Sequence, residues 1–195
     1  MSYTNVMKGH ISDAGGEVRI VHIDSTTHSL ISIEHDHHEI HAGESFSAHI
    51  QLDVGSGNTL AIGIRTPNTT RWAHMTFTST FESETEIVLW ELATPWTGGT
   101  TFAPRNRNRN SGTAATVVVN TQPTVDTTNA TILTAIVFGT SSGGPQASVV
   151  GGETRGTQEW ILKQNTDYAF IATNQAGEAN EMSIIVDWYE HTNET

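Results

Sequence analysis

Apolar and small or polar side chains alternate in short runs along most of this chain, and that period of two limits how it can fold. Leu60, Ile62 and Ile64 alternate with Ala61, Gly63 and Arg65; a turn-like stretch around Pro67 and Asn68 breaks the pattern, and residues 71–78 resume it. Successive side chains of a strand point to opposite faces, so this alternation marks strands with one buried face. The same reading places strands at 17–23, 47–54, 86–92, 116–120, 131–138, 159–163, 168–173 and 182–189. Glycine-, serine- and asparagine-rich pieces at 55–58, 96–100, 139–145 and 174–177 separate them. Many short strands without long segments of helical period predict an all-β chain. The expected architecture is an antiparallel β-sandwich with long loops, in jelly-roll form.

Length and charge narrow the class. With 195 residues the chain suits one domain with a sizeable core. Residues 35–195 are expected to form a single β-sandwich domain, and residues 1–34 a docking arm plus a first strand. The stretch 122–156 is poor in charge and reads as a long loop, an excursion hairpin or a subunit-contacting arm. A formal net charge of −12 argues against nucleic acid as a partner, because an acidic surface repels phosphate. The first residues lack the apolar core of a signal peptide and no apolar run approaches the ~20 residues needed to cross a bilayer, so neither export nor a membrane partner is expected. With no cysteine, disulfides, thiolate metal sites and thiol chemistry are excluded.

Against that acidic background, Arg105, Arg107 and Arg109 fall within five residues of one another. In an extended backbone their guanidinium groups form one row and Asn106, Asn108 and Asn110 the opposite row. An arginine row matches carboxylates in bidentate geometry; an asparagine row can both donate to and accept from backbone. The segment is expected either at a subunit interface or as a brace within the chain, with Arg107 at its centre fully paired.

A second cluster, His35, His37, His38 and His41 with Asp36 and Glu39, packs four imidazoles and two carboxylates into seven residues. In a strand, His35, His37, Glu39 and His41 share a face, and imidazole with carboxylate suits zinc, iron, nickel or manganese. A cupin-like barrel gathers such ligands, but the second cupin motif is missing, so no metal and no other cofactor is expected. The histidines are read instead as a pH-responsive interface. His74 and His191 look isolated. Glu82, Glu84 and Glu86 read as a solvated edge that discourages aggregation. The chain has no Gly-x-Ser-x-Gly elbow and no phosphate-cradling loop, so it is not expected to be an enzyme. Four of the five tryptophans lie in apparent strands and are expected in the core, with Trp96 capping the barrel end.

Five landmarks in order carry a resemblance: 36–43, 65–74, 101–111, 159–168 and 186–190, the last containing Asp187, Trp188 and Tyr189. Together they resemble tailed-bacteriophage virion structural proteins, and within these the head decoration, or cement, proteins. The resemblance implies a β-sandwich subunit, commonly a homotrimer, that binds the outside of the major capsid protein shell and stabilises it. It implies synthesis in the host cytoplasm and a final place on the capsid surface. A tail or fibre module binding a receptor or glycan is the alternative, with a cupin-like metalloenzyme behind it.

Overall fold

The computed structural model describes residues 35–139, 148–150 and 159–192. Two compact units divide the chain, Met1–His38 and Glu39–Thr195, and helix α1 (His35–Ala42) crosses the junction between them. The strand expected at 17–23, the docking arm and parts of the 122–156 excursion lie outside the described residues.

The second unit is a β-sandwich. Its strands are β1 (Ser45–Val54), β2 (Thr59–Arg65), β3 (Arg71–Phe81), β4 (Thr85–Glu91), β5 (Thr100–Phe102) and β6 (Arg105–Asn106), then β7 (Val118–Thr121), β8 (Thr131–Phe138), β9 (Ser148–Val150), β10 (Trp160–Leu162), β11 (Asp167–Asn174) and β12 (Asn180–Thr192). One sheet has the order β10-β3-β12-β1-β6, with β9 also on β3; the other has β5-β7-β2-β11-β4-β8. Every pairing is antiparallel. Without the short flanking strands, β1-β12-β3-β10 faces β2-β11-β4-β8, and successive strands of these eight alternate between the sheets except β4 and β8, which pair side by side. That is jelly-roll order. The turn after β2 therefore carries the chain from one sheet to the other, and β2 and β3 are not hydrogen-bonded partners.

Strand periodicity places the core as the sequence implies. Phe46, Leu60, Ile62, Met75, Leu89, Met182, Ile184 and Trp188 are all buried between the sheets. Phe77 of β3 stacks on Phe170 of β11, with centroids 4.8 Å apart, tying one sheet to the other. Trp160 is half-buried against the same core.

A smaller apolar cluster covers the other face of the β2/β11 sheet, where Trp96 packs with Leu92 and Ala169. Trp96 Nε1 donates to the Ile64 carbonyl at 3.2 Å, and the Arg65 guanidinium lies 4.3 Å from its ring centroid. A Cβ on Gly63 would stand 3.0 Å from two ring atoms, so the indole can lie flat only over glycine. Trp96 thus seals a sheet face and does not cap the barrel end. Trp90 joins this outer cluster too.

The carboxylates of Glu82, Glu84 and Glu86 do not mark an edge. They sit at the entrance of β4, an interior strand between β11 and β8. The edge is β8, one strand further out.

Candidate functional site

The histidine cluster is helical, so the shared face that an extended backbone would give it does not form. A glycine stop just beyond it decides this. Gly43 takes φ +77, its N–H donates to the Ile40 carbonyl at 3.1 Å, and the Glu44 N–H donates to the Glu39 carbonyl at 3.0 Å. Those two bonds satisfy the last carbonyls of the helix in the pattern of a Schellman cap. Helical spacing puts His37 and His41 four residues apart on one side, while Glu39 is buried. Among the described residues, no group of three His, Cys, Asp or Glu converges on a point that could hold a metal ion.

The arginine segment extends only through β6. Arg105 pairs with Ser47 and Asn106 with Phe46 across from β1, and the Arg107 N–H donates to the Ser45 carbonyl at 2.8 Å. The chain then turns, so the two rows expected from an extended backbone are not built. Asn106 is buried; its amide donates to the carbonyls of Gly43 (2.7 Å) and Thr113 (3.0 Å), and its Oδ1 accepts from the Asn108 N–H (2.9 Å). Asn108 repeats the device one step on, accepting from the Asn110 N–H and donating to the His41 carbonyl. Asparagine side chains that copy a backbone turn in this way fix a loop.

Arg105, Arg107 and Arg109 are all exposed on the loop so fixed. Arg109 donates to the Asn106 carbonyl at 3.3 Å, and none of the three forms an ion pair with a described residue. Arg107 is therefore not the fully paired centre of a brace. The brace is Asn106, and the segment makes no hydrogen bond to described residues of the 122–156 excursion.

His74 and His191, isolated in sequence, meet across β3 and β12 with Nε2 atoms 2.8 Å apart. His74 Nδ1 lies 2.9 Å from Glu159 Oε1 and 3.2 Å from the Tyr189 hydroxyl, and His191 Nδ1 lies 2.9 Å from the Thr192 carbonyl oxygen. Carboxylate and carbonyl oxygens only accept, so an N–H at each Nδ1 suits these contacts.

Two other polar clusters escape a sequence reading. Tyr168 accepts from the Lys163 N–H at 2.9 Å and donates to Glu91 Oε2 at 3.3 Å; burial first, then the Glu91 carboxylate, pushes its hydroxyl up to about 12. It stays a neutral donor at any physiological pH. Glu190 is buried at 1 % exposure, and its carboxylate collects the N–H groups of Thr116 and Val117, the Thr116 hydroxyl and Trp188 Nε1. All its described carboxylate partners are neutral donors, which suits a structural lock on the strand approach to β7.

Trp72, Trp90 and Trp160 are half-buried and Trp96 and Trp188 buried, so no exposed tryptophan platform is formed. Comparison with known proteins returns no match: no family model, no curated protein and no solved structure aligns with the chain.

Proposed function

We propose that this chain is a non-enzymatic structural protein of a tailed-bacteriophage virion, a decoration subunit that binds the outside of the major capsid protein shell as a homotrimer. One observation carries the reading: three arginines stand exposed on a loop whose backbone is already fixed by Asn106 and Asn108. A preformed cationic loop loses little conformational entropy on docking, and its guanidinium forks suit the carboxylates of a protein partner. The same three charges on a chain of net −12 make a poor nucleic-acid surface. The five ordered landmarks and the sandwich architecture support this reading. The glycan-binding alternative lacks exposed tryptophans to stack against a sugar.

The test is co-sedimentation of the purified protein with undecorated heads of the phage that encodes it. The parent should bind in multiples of three copies. Changing Arg105, Arg107 and Arg109 together to glutamine should weaken binding at least tenfold, about 1.4 kcal/mol, while leaving the melting temperature within the range of an ordinary surface change. Failure of the parent to bind heads, with the chain found on tails in a reconstruction of the particle, would overturn the decoration role.

A further inference from the structure

We infer that the outer edge of β8 is the surface on which a second copy of this chain adds a strand. Such an edge-to-edge pairing is isologous and joins two copies, a contact separate from any three-fold contact of the proposed trimer, and its test needs no phage head, so the two readings can fail separately.

β8 lacks an outer neighbour among the described strands. It is the last strand of its sheet, hydrogen-bonded to β4 on one side and to no described strand on the other. An edge of this kind presents a row of free N–H and C=O groups, and natural sheets protect such edges with lysine, proline, very short strands or bulges. Thr131–Phe138 has eight residues and no charge or proline. Its one irregularity lies opposite Leu89 and Trp90, which leaves Thr134–Phe138 in unbroken register with Thr85–Leu89. The other described edges differ: β6 carries Arg105, β10 is three residues long between Glu159 and Lys163, and β5 and β9 have three residues each.

Exposure points the same way. Ile132 is 53 % exposed, Ile136 40 % and Val137 57 %. Ile136 sits opposite Ile87 on the core side, whereas Val137 sits opposite Glu86 and Ile132 opposite Trp90 on the outer side. Apolar groups on both faces are the pattern of an interior strand, one with neighbours on both sides.

Charge selects the occupant. Two copies, each carrying −12, repel wherever their acidic surfaces meet. Between Arg109 and Glu153 the only charged residue is Asp126, so the β8 edge itself brings no carboxylate to a second copy, and Glu86, opposite Val137, lies one strand inward. The partner that fits is thus an equally neutral aliphatic and threonine edge, which a second copy supplies.

Light scattering and hydrogen exchange on the full chain test this. The parent should associate at micromolar to millimolar concentration, and added salt should leave the association unchanged or tighten it by screening the acidic repulsion. Amides of β8 should exchange more slowly at high than at low protein concentration. Ile132→Lys with Val137→Lys should weaken association at least a hundredfold, while dichroism and the melting temperature of the dilute protein stay near those of the parent. Should the double variant unfold, the concentration dependence of β8 exchange in the parent decides alone. A parent that stays monomeric at millimolar concentration, β8 amides indifferent to concentration, or a folded double variant that associates like the parent would each overturn the inference. Association that salt abolishes would also overturn it, because that outcome assigns the contact to the arginine loop.

Discussion

Glu190→Ala is expected to destabilise the fold by roughly 3 to 5 kcal/mol, the largest single effect outside the apolar core. The carboxylate is 1 % exposed and accepts from the Thr116 N–H at 3.0 Å, the Val117 N–H at 3.2 Å and Trp188 Nε1 at 2.9 Å, as well as from the Thr116 hydroxyl. Alanine leaves those donors facing a void that is not refilled by bulk water, and each buried donor left unpaired costs about 1 to 3 kcal/mol. Trp188, itself fully buried, loses the one hydrogen bond that its indole makes to a described residue and part of its packing at the same time. For a chain of this size the loss corresponds to a fall in melting temperature of about 10 °C. Glu190→Gln should recover part of it, since one oxygen still accepts while the amide group turns a donor toward other donors. Denaturant unfolding of both variants measures this, and a midpoint for Glu190→Ala equal to the parent's would show that the lock carries no energy.

Asn180→Ala comes second, at roughly 2 to 4 kcal/mol. Asn180 is fully buried where β12 begins; its Oδ1 accepts from the N–H groups of Glu82 (2.9 Å) and Ser83 (3.1 Å), and its amide donates to Thr85 Oγ1 (2.9 Å) and the Ser83 carbonyl (3.3 Å). One side chain thereby holds the whole connection from β3 to β4, the crossing from one sheet to the other. Asn180→Asp separates the two halves of this role. It keeps the acceptor but loses both donated bonds and brings a carboxylate next to Glu82 and Glu84, so it should be at least as harmful as alanine near neutral pH. An aspartate variant as stable as the parent would mean that the donated bonds and the added charge have no net effect.

What the sequence determined by itself was the position of nine of the twelve described strands, the short β5, β6 and β9 being the ones it did not give. Leu60, Ile62 and Ile64 on one side of β2, and Met182, Ile184, Val186 and Trp188 on one side of β12, are legible because the two-residue period is local and burial acts on it residue by residue. The all-β class and the sandwich follow from that, and the glycine after Ala42 already held the stop signal that makes residues 35–42 a helix. The histidine spacing alone does not reveal it, because imidazole has little preference between helix and strand and a capping glycine acts through bonds to the preceding turn.

Tertiary structure alone decided which strands pair and which polar groups meet. Ser45 faces Tyr189 across β1 and β12, and His191 reaches His74 over 117 positions, yet nothing local marks either partner. Backbone ladders are the same for every strand, so register and order come from how whole faces pack. The same holds for the arginine loop. Sequence showed three cations and three amides in alternation, and only the fold, by pressing Asn106 against Gly43 and Thr113, turned the amides inward as the brace and left the cations on the surface. A neutral amide can bury itself by bonding to backbone, whereas a guanidinium without an acidic partner stays in water, and that difference in desolvation cost set the direction of the turn.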